Sequence, residues 1–80
     1  MTDAEEKEYF AVLVKIANES QSYKEYYESL YGFEISDELL TKLINKGNNT
    51  LALYAHDDDN NLRPFKEAVK LFEADFNLLY

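Results

Sequence analysis

The stretch LRPFKEAVKLFEADFNLL, residues 62–79, decides how this chain folds. Its apolar residues Leu62, Phe65, Val69, Phe72, Phe76 and Leu79 recur at intervals of three and four, which places them on one stripe of a helix. Pro64 is compatible with a first helical turn, where its missing N–H has no helical acceptor in any case. We therefore expect a terminal helix whose phenylalanine stripe is the centre of the core.

Working back from that helix, two glycines and one proline in 80 residues leave little punctuation, which favours helices over many short strands. Thr2 and Glu5 have capping-box spacing, and Tyr9, Val12, Leu13 and Ile16 then recur at helical intervals. With Glu5, Glu6 and Glu8 in its first turns, where the helix dipole favours negative charge, a first helix is expected over residues 3–18. Ser22 and Glu25 repeat the capping spacing and open a second helix, which runs to Tyr31 and ends at Gly32. Ser36 opens a third, with Asp37 and Glu38 in its first turn and an apolar face of Leu39, Leu40, Leu43 and Ile44. Lys42 and Lys46 lie near its end, and Gly47 closes it. Residues 50–56 alternate in a way that also fits a strand. The one candidate strand partner is 76–80, which reads better as helix, so we expect a short helix capped by Asn49. Residues 57–61 read as a polar loop. The sum is an all-α, single-domain bundle of four or five helices spanning residues 1–80.

A chain of this length has room for one modest core and buries only about 60% of its unfolded surface. Twelve aromatics (seven Tyr, five Phe) within a hydrophobic fraction of 46% argue against the disorder typical of acidic chains. The absence of cysteine excludes disulfides and thiolate metal sites. The acidic start, Met-Thr-Asp-Ala-Glu-Glu, is unlike a secretory signal, and no apolar run approaches the roughly 20 residues of a membrane span. These features lead us to expect a cytoplasmic protein without membrane contact.

Charge is distributed unevenly. Sixteen acids face eight basic residues, a net charge of −8. Residues 1–38 hold ten of those acids against three lysines, whereas the last 21 residues are balanced. Such a surface repels nucleic acid and anionic membranes and attracts basic proteins.

Catalytic groups are scarce. His56 is the only histidine, and the sequence has no glycine-rich phosphate loop and no Gly-x-Ser-x-Gly nucleophile pattern. A structural place beside the acidic loop competes with a role as general base for this histidine. Asp57, Asp59 and Asn61 match the first three ligand positions of a calcium-binding loop. Leu62 then replaces the required glycine, and Ala68 replaces the bidentate glutamate. We expect a solvated acidic loop, no cofactor, no metal and no enzymatic activity.

The second helix is the candidate interface. Tyr23, Tyr27 and Tyr31 fall four apart on one face, Tyr26 and Leu30 form a neighbouring stripe, and Glu25 and Glu28 flank both. Tyrosine among carboxylates suits a protein interface, although the same stripes would also serve as core. Glu34, Asp37, Glu38, Asp57, Asp58 and Asp59 complete the expected partner-binding set. Carboxylates in rows on helices can approximate duplex DNA, which carries about one negative charge per 1.7 Å of axis. In size and charge the chain is similar to phage anti-defence proteins, such as anti-CRISPR and anti-restriction proteins, and to nuclease immunity proteins. It lacks the paired tyrosine–proline signature of the immunity proteins, and no motif places it in any of these groups. The expected function is thus inhibition by binding a basic nucleic-acid-binding or nuclease surface, without direct nucleic-acid contact. The alternative is a helical adaptor or subunit that docks through its tyrosine-rich or hydrophobic helix face.

Overall fold

In the computed structural model, which describes residues 3–46 and 51–79, the chain is an all-α bundle. Its helices are α1 (Asp3–Glu19), α2 (Tyr23–Tyr31), α3 (Asp37–Lys46) and α4 (Phe65–Leu79), with a 3-10 turn (Leu51–Tyr54) between α3 and α4. Thr2 and Asn49, expected to cap helix starts, and Gly47, expected to close α3, lie outside the described residues.

The local signals that set the boundaries are visible as hydrogen bonds. Ser22 Oγ accepts from the Glu25 N–H at 3.2 Å, and Ser36 Oγ accepts from the Leu39 N–H at 3.2 Å. Each hydroxyl satisfies one of the backbone donors left unpaired at a helix start. At the end of α2, Gly32 adopts a left-handed conformation (φ 79°) and donates its N–H to Glu28 O at 2.8 Å. A residue with a Cβ is strained in that conformation, so glycine is required there. Pro64 sits immediately before α4, and its carbonyl accepts from the Glu67 and Ala68 N–H groups.

The α1 and α4 helices run in opposite senses. At one end Lys66 Nζ donates to Ser20 O at 2.6 Å and Asn18 Nδ2 donates to Glu73 Oε2 at 2.8 Å, and at the other Phe10 lies near Phe76 and Leu79. Between them Phe65, Ala68, Val69 and Phe72 are buried against Leu13 and Ala17 of α1, Tyr23, Tyr26 and Tyr27 of α2, Ile44 of α3, and Leu51 and Ala55 of the 3-10 region. Phe65 meets Tyr23 edge-on at 5.1 Å, and Phe72 packs on Tyr54 at 5.7 Å.

Several expectations need correction. The buried stripe of α1 is not Tyr9–Val12–Leu13–Ile16. Tyr9 and Val12 are exposed, whereas Leu13 is buried and Ile16 partly buried as expected, and Phe10, Val14 and Ala17 complete the inward face. Residues 9–14 are apolar all round, so spacing alone leaves the register open and the docking of α4 selects it. Leu39 lies at the exposed edge of α3, where Ile44 is buried and Leu40 and Leu43 are partly covered. The stripe of α4 is shorter than its heptad pattern, because Leu62 and Leu79 are exposed and Phe76 is half-buried. Residues 51–54 form a 3-10 turn rather than a longer helix. Among the described residues the one β-type pairing is an isolated antiparallel bridge, His56 to Leu62, that closes the polar loop.

Phe72→Ala is expected to cost about 3–5 kcal/mol, the usual penalty for emptying a buried phenylalanine site. A domain this small has little more than that in total, about 3–5 kcal/mol, so the variant should be largely unfolded at room temperature. Leu78→Ser, at an exposed position, should stay within about 0.5 kcal/mol of the parent. Urea titrations of both variants provide the check.

Candidate partner-binding surface

The nine-residue α2 divides the three nominated tyrosines between inside and outside. Tyr23 and Tyr27 are core residues, 8% and 3% exposed, which withdraws them as partner anchors. Their side of the helix faces Phe65 and α1, which keeps both rings inside the core. Tyr23 OH donates to Arg63 O at 2.8 Å, so its polar end is satisfied inside the chain. Tyr26, between them, is fully buried, and its hydroxyl has no hydrogen-bond partner among the described residues.

Tyr31, one turn beyond Tyr27, emerges from the core. Its ring stacks on Tyr27 at 6.1 Å with an interplanar angle of 11°, and on Phe33 at 6.0 Å with an angle of 26°. The left-handed Gly32 reverses the chain so that Phe33 folds back over Tyr31. The result is a row of three rings running from the core to solvent. On α1, Tyr9 lies near Tyr26, and Val12 follows it one turn on along the helix. The four outward residues, Tyr9, Val12, Tyr31 and Phe33, are 50%, 54%, 46% and 56% exposed. Tyr9 and Tyr31 both lie close enough to Tyr26 to act on its ionisation. Burial first, then the Tyr27, Tyr9 and Tyr31 phenols, push the Tyr26 hydroxyl far above the ordinary tyrosine range.

The expected acids fall into two groups. Glu34, Asp37 and Glu38 are exposed and follow Phe33 directly in the chain, the last two in the first turn of α3. A shallow depression bounded by Lys24, Glu28, Phe33 and Glu34 adjoins the ring stack. Glu25 is exposed in the first turn of α2. Glu28, by contrast, is structural: its Oε2 accepts the Ile35 N–H at 3.0 Å and fixes the turn that buries Ile35. Asp57 is also occupied, since its Oδ1 accepts the N–H groups of Asp59 at 3.0 Å and Asn61 at 2.9 Å. Asp58 and Asp59 are exposed on that loop. Arg63 anchors the loop to Tyr23, at the opposite end of α2 from Tyr31 and about 12 Å along the helix. The Asp57–Asp59 acids are therefore not part of the Tyr31–Glu38 edge.

His56 is half-buried, and its carbonyl accepts from Arg63 Nη1 at 2.9 Å. Among the described residues no group of three His, Cys, Asp or Glu side chains is placed to hold a metal ion, and no helix is long and apolar enough to cross a membrane.

Sequence reasoning missed Phe33, Tyr9 and Val12. Phe33 lies between helices, where no periodicity marks it. Tyr9 and Val12 sit within an apolar run that fits more than one core register. No family model matches the chain, and neither a curated protein nor a solved structure matches it.

The buried phenols make stability sensitive to alkali. Burial raises Tyr23 from 10.0 to about 12, with Arg63 opposing the shift and Glu67 adding to it. Burial raises Tyr54 to about 12 as well, assisted by the hydrogen bond it donates to Asp75. Below pH 10 these groups are protonated in folded and unfolded chains alike, and their stabilising effect is complete. Between pH 10 and 12 the unfolded chain loses protons first, so stability falls as pH rises through that window. Thermal melts at increasing pH should show Tm dropping there, and Tyr54→Phe should make the drop shallower.

Proposed function

We propose that the chain works by binding a basic protein surface, with Tyr31 and Phe33 as anchors and Glu34, Asp37 and Glu38 as the charged rim. One observation carries this reading: two half-exposed, mutually stacked rings are followed within five residues by three exposed carboxylates. A stacked pair is held in place before binding, so little side-chain freedom is lost on contact, and aromatic residues dominate the energetics of most interfaces. The carboxylates steer a cationic partner and set the salt dependence. Tyr9 and Val12 extend the apolar area along α1.

The partner class that fits is a basic, nucleic-acid-binding or nuclease surface. On this reading the protein is a cytoplasmic inhibitor that occupies the groove in place of nucleic acid, with no nucleic-acid contact of its own and no catalytic step. A net charge of −8 supports that choice, since it disfavours direct binding to a polyanion.

The test is capture on the immobilised protein with elution by rising salt, followed by kinetics on the partner recovered. Glu34→Lys combined with Glu38→Lys should slow association and flatten the salt dependence. Phe33→Ala or Tyr31→Ala should chiefly speed dissociation, by an amount corresponding to about 2 kcal/mol. His56→Ala should leave binding unchanged, and duplex DNA should compete for the partner. Affinity that is constant from low to high salt would remove the electrostatic half of the proposal. Wild-type dissociation from a folded Phe33→Ala, Tyr31→Ala double variant would remove the anchoring half.

A further inference from the structure

A second surface lies between α1 and α4, lined by none of the residues of the Tyr31–Glu38 edge. Where the first turns of α1 meet the last turns of α4 and the 3-10 turn, the helices leave an open groove of about 240 Å³. Phe10 and the buried Phe72 form its floor. Leu53 and Leu79 stand on its walls, 53% and 76% exposed, and the neighbouring Leu78 is 83% exposed. The charged groups that line it are the Glu6 and Asp75 carboxylates, with no cation among the lining residues. Asp75 Oδ2 accepts the Tyr54 hydroxyl at 2.6 Å, which holds that carboxylate at the apolar wall instead of letting it swing into solvent.

Size and charge select the occupant. The volume is below the roughly 300–1,000 Å³ of drug-sized ligand sites, and suits one or two large side chains presented by a helix. Both charged positions call for a cation. A groove-to-groove contact between two copies is a poor fit, because the most exposed leucines there, Leu78 and Leu79, lie on a last turn of α4 that has no basic residue. The acidic first turn of α1 would also approach its like across the contact. Like charges brought together in this way oppose association.

We propose that this groove docks a basic amphipathic helix of another protein, with one or two large apolar side chains seated between Leu53, Phe72 and Leu79 and a lysine or arginine paired with Glu6 and Asp75. This surface is separate from the Tyr31–Glu38 edge and does not depend on the role proposed for it. With both in use, a single copy bridges two partners.

The probe is a synthetic amphipathic helix of leucine and lysine, set against a leucine–glutamate peptide with the same apolar pattern. Binding to the full chain is followed by isotope-edited NMR and by titration. The lysine peptide should shift amide resonances of Leu53, Tyr54 and residues 72–79, and the glutamate peptide should not bind. Leu53→Ser with Leu79→Ser, at exposed positions that leave the fold intact, should weaken the lysine peptide by at least about ten-fold. Glu6→Gln with Asp75→Asn should do the same, whereas Glu34→Gln with Glu38→Gln should have no effect. The proposal is overturned if shifts spread over the α2–α3 surface, if the leucine variant binds like the parent, or if both peptides bind equally. It is also overturned if the chain self-associates in sedimentation runs and the leucine variant abolishes that association, which would make a second copy the occupant. Shifts on the α2–α3 surface would place the basic peptide on the aromatic edge instead, and the other outcomes say nothing of that edge, so the failure of one proposal is distinguishable from the failure of the other.

Discussion

Arg63 is the residue on which the packing of the two halves depends. Its guanidinium donates to the carbonyls of Tyr54 at 3.0 Å and His56 at 2.9 Å, its N–H donates to Ala55 O at 2.7 Å, and its carbonyl accepts the Tyr23 hydroxyl at 2.8 Å. One residue thereby joins the 3-10 turn, the polar loop, the start of α2 and the entry to α4. The carbonyls it serves, those of Tyr54, Ala55 and His56, lie at and just beyond the end of the 3-10 turn, where no continuing helix supplies N–H partners. Hydrogen bonds to a charged donor contribute about 1.5–3 kcal/mol each. Holding residue 63 in place also delivers Phe65 to Tyr23, and with it the rest of the core.

That core draws in polar material along with its aliphatic side chains. Three tyrosines of α2 are buried, and the polar ends are accommodated unequally: Tyr23 finds a backbone acceptor, while the Tyr26 hydroxyl has none among the described residues. An unpaired buried hydroxyl costs about 1–3 kcal/mol, a large share of what a domain of this size has. The acids show the same economy. Glu28 and Asp57 complete turns, and the negative surface is left to side chains such as Glu34, Asp37, Glu38 and Asp58.

How far the fold is legible in the sequence depends on the range of the interaction that decides it. Helix starts at Ser22 and Ser36 and the stop at Gly32 are set within four residues, and they appear where local chemistry puts them. The face of α1 is set by contact with α4, fifty or more residues away, and its continuous apolar run conceals the choice. The tyrosine spacing of α2 is read correctly as one face, but spacing does not say where a face leaves the core. Tyr23 and Tyr27 lie over Phe65 and α1, whereas Tyr31 projects past them. Similarly, the heptad pattern of α4 continues to Leu79, although beyond Phe72 the opposing α1 no longer covers it fully. Phe33 and Leu53, each central to a proposed docking surface, occupy a turn and a 3-10 segment. No period applies to either.

The Lys66–Ser20 contact bears on how the molecule comes apart. The last turn of α1 has no basic residue, and the cation beside its terminal carbonyls belongs to α4. Ser20 caps that end locally, its Oγ donating to Ile16 O at 2.7 Å and its N–H to Ala17 O at 3.3 Å, and Lys66 then ties Ser20 O to the first turn of α4. Opening of α4 therefore releases the end of α1. Fragments that stop short of residue 66 lack that closure, and amide exchange near Ser20 should report on opening of the whole bundle instead of local fraying.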